Sequence, residues 1–230
     1  MNLTGKKIVI TGAFGALGSV VASRVRAAGA TVACIDFAPT SKAPNSIADY
    51  LLLGDVDLSS PDAAAKALQA ATQRMGGLDG VVNIAGGFRW EKIEGGSLET
   101  WNLLYNINLR TAVNAIQAAL PLLQKESGSI VNVGAAGAIK AGAGMGAYAA
   151  SKAGVAKLTE ALAEEIKDGC VRVNAILPSI IDTPANRADM PTAEYDRWVK
   201  PEQVADLIVF LLSEHASAIT GALIPIVGRV

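Results

Sequence analysis

A single histidine serves a chain of 230 residues. His215, in Ser213-Glu214-His215-Ala216-Ser217, has no cysteine or histidine partner at ligand spacing, so no metal centre is expected and the residue is read as structural or surface. Cysteine is nearly as scarce: Cys34 and Cys170 sit far apart in apolar, strand-like contexts, which predicts two buried free thiols in a reducing compartment rather than a disulfide. Neither sign of charge is in excess. Lysine and arginine number 20 against 21 acids, a formal net charge of -1, and without a basic face neither nucleic acid nor an anionic membrane is expected as a partner. Long apolar runs are missing too. The longest, Leu207 to Leu212, cannot span a bilayer, and Met1 to Lys7 carries no signal-like core, so the expectation is a cytoplasmic protein that acts on a small molecule.

Apolar residues make up 51% of the chain and charged ones 18%, enough to bury the core of one large domain across residues 1–230. Short β-branched runs alternate with helical patterns. Strands are predicted at Ile8-Val9-Ile10, Thr31 to Ile35, Tyr50 to Leu53, from Leu78 into Ala85-Gly86, at Gly128 to Val133, Val171 to Leu177 and Ala222 to Val227. Between them, helices are predicted from Gly18 to Ala28, Pro61 to about Met75, Ser97 to near Gln124, Ala147 to about Lys167, and Pro201 to Leu212. This alternation gives an α/β class with a parallel sheet of about seven strands and helices on both faces. Pro225 argues for an edge position of the last strand. Residues 179–200, rich in Pro, Asp, Asn and Arg, read as a long loop covering a substrate.

Ligands on such sheets bind at the carboxyl ends of the strands. The first strand ends in Gly12-Ala13-Phe14-Gly15-Ala16-Leu17-Gly18, whose glycines permit close approach of backbone to a pyrophosphate at a helix start. The second ends at Asp36, 18 positions past Gly18 and near the offset of ~20 at which an acid meets ribose hydroxyls. A carboxylate there repels a 2′-phosphate, and neither Ala13 nor Phe37 offers a compensating cation, so NAD(H) is expected over NADP(H). Asp55 with Val56 is placed to meet an adenine edge. Tyr148 and Lys152 lie one helical turn apart, a pairing able to move a proton. Asn108 is the polar member of an otherwise apolar stripe of Trp101, Leu104, Tyr105, Ala112 and Ala115.

In this order and spacing the motifs resemble the short-chain dehydrogenase/reductase family over essentially the whole chain, which implies a Rossmann-like doubly wound sheet. Thr11 to Gly18 resembles that family's cofactor turn, with Ala16 for its middle glycine. Asn83-Ile84-Ala85-Gly86 is similar to its Asn-Asn-Ala-Gly element, and Tyr148 and Lys152 match its Tyr-x-x-x-Lys pair. The resemblance implies that Tyr148 handles the proton, Lys152 lowers the phenol pKa and holds the nicotinamide ribose, and Asn108 anchors a water leading to Lys152. Thr183, beyond Pro178, would hold the carboxamide. It implies a homodimer or homotetramer packed through the helices at 98–124 and 147–167.

One position departs from the pattern: the hydroxyl residue expected 13 positions before the tyrosine is Ala135. Loss of one transition-state donor can cost on the order of 10²- to 10³-fold in rate, which a highly electrophilic substrate tolerates best. Ala135, with Gly144-Met145, Asp182-Thr183-Pro184-Ala185-Asn186-Arg187 and Trp198, looks like the dihydropteridine reductases of that family. The resemblance implies an NADH-dependent reductase of a quinonoid or conjugated imine ring, with Trp90, Ile180 and Trp198 as pocket walls. The alternatives are a general carbonyl reductase or alcohol dehydrogenase in which Ser179 or water replaces the hydroxyl, and a cofactor-binding homologue without turnover.

Overall fold

The computed structural model describes residues 1–123 and 128–230. In chain order it contains β1 (Lys7–Thr11), α1 (Ala16–Ala27), β2 (Thr31–Ile35), β3 (Leu51–Leu53), α2 (Pro61–Met75), β4 (Gly80–Asn83), α3 (Leu98–Leu104), α4 (Thr111–Leu123), β5 (Ser129–Val133), α5 (Gly146–Glu165), β6 (Arg172–Pro178), α6 (Pro184–Asp189), α7 (Pro201–Leu212) and β7 (Leu223–Ile226). The strands form one parallel sheet ordered β3-β2-β1-β4-β5-β6-β7, with β7 and its Pro225 at the edge as expected.

Period-two alternation sends neighbouring side chains of each strand to opposite faces. Ile8 and Ile10 of β1 join Val82, Val131 and Ile176 under α1 and α7, while Val9 joins Val81, Ile130 and Val173 under α2, α4 and α5. Both faces are covered, which is why these strands are apolar at nearly every position. Helix ends follow local chemistry. Ser60 Oγ accepts from Ala63 N–H with Pro61 at the first turn, and α2 stops at Gly76, whose φ of 74° is the left-handed value a helix terminator needs.

Three expectations need correction. The helix predicted from Ser97 is not continuous: a π-helical turn, Tyr105–Arg110, separates α3 from α4, and the predicted end near Gln124 lies outside the described residues. The turn surrounds Asn108, whose buried amide is bonded to residues outside the helix; such wide turns accompany polar side chains that must be re-aimed. Residues 179–200 are not a bare loop but contain α6, a short 3₁₀ turn at Tyr195–Arg197 and a bridge between Ile181 and Val199. Cys170 is exposed in the turn before β6, whereas Cys34 is buried. Among the described residues no helix is long and apolar enough to cross a membrane.

A buried polar chain ties α5 to the sheet. Asn83 Nδ2 donates to Asn132 Oδ1 (2.9 Å), Asn132 Nδ2 donates to Thr159 Oγ1 (2.9 Å), and Thr159 Oγ1 donates to Val155 O (2.9 Å). Removing the middle member strands partners on both sides, each costing about 1–3 kcal/mol when left unpaired. Asn132→Ala is therefore expected to lower unfolding free energy by roughly that amount, read as a shift of the urea midpoint with an unchanged slope.

Candidate active site

At the carboxyl ends of the strands the chain leaves a cleft of about 1020 Å³, lined from Gly12, just before α1, to Asn186 in α6. It opens beside the point where the strand order reverses, between β1 and β4. Gly12, at φ 64°, brings its backbone against the loop after β4, and a Cβ built there would lie 2.7 Å from Ala85 N. A Cβ on Gly18 would strike the carbonyl of Gly12, so α1 starts with bare backbone facing the cleft. That cradle fits a pyrophosphate.

Gly12, Phe14, Gly15, Leu17, Gly18, Asp36, Val56, Ala85 and Gly86 all line the cleft, as do Tyr148, Lys152, Pro178 and Thr183. Asp36 is held in place, Oδ2 accepting from Phe14 N–H and Oδ1 from Ala38 N–H, both at 2.9 Å. Four expected residues stand elsewhere. Asp55, at φ 58°, is exposed and outside the cleft lining, whereas Asp57 lines it. Asn83 is buried in the sheet, its side chain committed to Asn132. Ala16 is exposed at the first turn of α1, outside the lining, and Asn108 sits behind the wall.

Further along the cleft, Lys152 is buried and donates from Nζ to Val133 O at 2.8 Å. Burial lowers its pKa to about 8 and raises that of Tyr148 to about 12. The direction is opposite to the depression expected for the phenol, and its cause is desolvation by burial. Asn108 Oδ1 accepts from Gly87 N–H (2.8 Å), and its Nδ2 donates to Gly87 O (3.1 Å) and Ser151 Oγ (3.0 Å). Its amide therefore fixes the loop after β4.

Ala135 lines the cleft and is itself buried, so its methyl occupies the wall where a hydroxyl was expected. Ser179, the suggested substitute, also lines the cleft but spends its proton on Val227 O at 2.7 Å. The expected pocket walls are absent from the cleft. Trp90 is exposed and donates from Nε1 to Ala143 O at 2.9 Å, while Ile180 and Trp198 border a separate cavity of about 280 Å³ with Met190 and Arg197. Alternation beside the Val199 bridge turns Ile181 into the cleft in place of Ile180. Phe88 and Lys42 line the cleft without having been singled out from sequence, and Asn186, named there only within the stretch 182–187, lines it too. Only the position of Phe88, directly after the paired glycines, hinted at its place. Among the described residues no cluster of three or more His, Cys, Asp or Glu could hold a metal ion.

Residues 12–228 match the family model described as Enoyl-(Acyl carrier protein) reductase. The chain is 32% identical to 3-oxoacyl-[acyl-carrier-protein] reductase FabG of Thermotoga maritima, over 99% of this chain and 98% of that protein. It is 30% identical to meso-2,3-butanediol dehydrogenase of Serratia marcescens, over 99% and 95%. A short chain dehydrogenase from Burkholderia cenocepacia, solved in complex with NADP, superposes with a TM-score of 0.91 at 31% identity, covering 99% of this chain and 98% of that one.

The buried lysine sets a pH signature. The folded state holds Lys152 near 8 while the unfolded chain keeps it near 10.5, so the folded state binds fewer protons between those values and stability rises with pH there. Lys152→Met, which removes the buried charge, is expected to be more stable than the parent at pH 7. That advantage should shrink between pH 8 and 10 in paired urea titrations; a constant difference would contradict it.

Proposed function

The chain belongs to the short-chain dehydrogenase/reductase family and is an NAD(P)-dependent oxidoreductase, and from that premise we propose that it uses NADH to reduce an already electrophilic conjugated C=N or quinonoid ring, in the manner of a dihydropteridine reductase. The observation that carries this reading is Ala135, an apolar wall where a ketone reductase needs a donor to the substrate oxygen. A ring whose electrons already favour hydride addition needs little polarisation, whereas a plain ketone feels the loss.

In this reading the cleft residues divide the work by position. The backbone from Gly12 to Gly18 receives the pyrophosphate, and Asp36 accepts from the adenosine ribose hydroxyls. Val56 borders the adenine, and Thr183, Oγ1 accepting from Asn186 N–H at 3.2 Å, keeps its own proton for the carboxamide. The bound nicotinamide supplies the hydride. Tyr148 supplies the proton: a phenol held near 12 remains protonated throughout the neutral range, which suits an acid and so the reductive direction. Lys152 places a positive charge beneath the ribose and compensates the phenolate left after transfer.

Selection of NAD(H) over NADP(H) rests on the fixed Asp36 carboxylate. Lys42, exposed on the loop after β2, lines the same cleft. Asp36→Ala is expected to shift the NADH/NADPH ratio of kcat/KM toward NADPH by about ten-fold or more, a change of ~1.4 kcal/mol. An unchanged ratio would remove Asp36 from cofactor selection.

Assembly as a homodimer or homotetramer is part of this reading. Trp101, Leu103 and Tyr105 are exposed around α3, and α5 shows Ala150 and Ala161 to solvent, so small residues lie beside large apolar ones on neighbouring helices.

The substrate reading is tested by stopped-flow oxidation of NADH with quinonoid dihydropterin and with simple ketones. The dihydropterin should react on the order of 10²-fold faster, and Ala135→Ser should raise the ketone rate by roughly 10-fold or more while leaving the dihydropterin rate nearly unchanged. Equal rates on both substrates in the parent would make the chain a general carbonyl reductase.

A further inference from the structure

Phe88 stands directly after the Gly86-Gly87 pair, and its ring lines the cleft. It meets Tyr148 edge to face, ring centroids 4.9 Å apart and planes at 83°. Such a pair holds two rings at a defined angle without a polar atom.

The same two elements are joined a second time through their backbones. Asn108 grips both the N–H and the carbonyl of Gly87 and donates to Ser151 Oγ, and Ser151 Oγ donates to Tyr148 O at 2.7 Å. The contacts close into a circuit: glycine loop to Asn108, Asn108 to Ser151, Ser151 to the tyrosine backbone, and the tyrosine ring back to the loop through Phe88. The hydrogen-bonded half fixes the Cα of Tyr148 but leaves its two side-chain torsions unset. Among the described residues no hydrogen bond holds Tyr148 Oη, and the hydroxyl that could have stood beside it is replaced by the methyl of Ala135.

We propose that Phe88 is a positioning residue for Tyr148, setting the ring torsions that place the phenol toward the substrate in a site that has lost its neighbouring hydroxyl. The proposal rests on the reading of Tyr148 as proton donor. It predicts a defined split. Without the ring contact the phenol samples orientations that cannot deliver a proton, so kcat falls while cofactor binding, carried by the other end of the cleft, does not. Phe88 also shields the phenol from water, so its removal should let Tyr148 ionise at lower pH.

The experiment uses the full chain as Phe88→Ala, Phe88→Leu and Phe88→Tyr, with Tyr148→Phe as reference. Phe88 is 44% exposed, so none of these changes opens the core. Turnover of quinonoid dihydropterin and of a simple ketone is followed with NADH, cofactor affinity by fluorescence quenching, and phenol ionisation by ultraviolet difference absorbance against Tyr148→Phe. Expected for the alanine and leucine variants is a three- to ten-fold loss of kcat, in line with the size of an aromatic pair, with NADH affinity changed by less than about two-fold. Phe88→Tyr restores most of kcat. The onset of phenolate absorbance moves to lower pH in Phe88→Ala, a readout that requires no turnover.

The proposal is overturned if Phe88→Ala leaves kcat and phenol ionisation unchanged while Tyr148→Phe abolishes turnover. It is equally overturned if NADH affinity falls in step with kcat, which would mark a general distortion of the cleft. If Tyr148→Phe keeps parental turnover, the reading of Tyr148 itself fails, and the ionisation shift alone then reports on the ring contact.

Discussion

A lysine ammonium taken out of water and given one carbonyl, that of Val133, is the constraint on which the site turns. An isolated buried charge is costly, and the protein keeps this one only because α5 is tied down against β5. The Asn83–Asn132–Thr159 chain fastens the two elements by side chains, and apolar packing of Leu162 and Ala163 against Ile130 and Val173 does so by area. With α5 fixed, Tyr148 is carried into the cleft one turn before the lysine. The two groups then respond oppositely to the same burial, the acid becoming harder to ionise and the base easier to neutralise.

The cleft is chemically uneven along its length. From Gly12 to Gly18 it is built from bare backbone, with one pinned carboxylate, Asp36, beside it. Phe88, Ala135, Ile107 and Ile181 add apolar surface to the same cleft that Tyr148 lines. Apolar surface in a cleft selects by shape and by burial of flat apolar area.

Where local rules govern, the sequence was readable. Alternating strands and helices, the edge strand with Pro225, the glycine turn, Asp36 and the Tyr148–Lys152 pair follow from periodicity, turn chemistry and helix spacing. What escaped depends on tertiary context. Asp57 rather than Asp55 lines the cleft, and no local rule announced it. The choice between Ile180 and Ile181 rests on a bridge to Val199, distant in sequence. The direction of the phenol shift requires knowing how far the tyrosine is buried, and the π-helical turn at Asn108 requires knowing what the asparagine reaches.

The strand order carries a consequence for how the molecule comes into being. β1 pairs with β4 across some seventy residues of chain, and β5 must wait for β6 and β7 on its other side. Parallel neighbours cannot close by tight hairpins, so much of the sheet forms through large loops, the slow route for a chain leaving the ribosome. The cleft is stitched from both halves, the glycine turn coming early and the Tyr148 helix late. An emerging chain can therefore hold the start of α1 folded long before its lysine arrives, and for that interval the apolar edge of β4 is open to whatever strand is nearby. Timing of synthesis, as much as final stability, bears on how much of this protein reaches its working form.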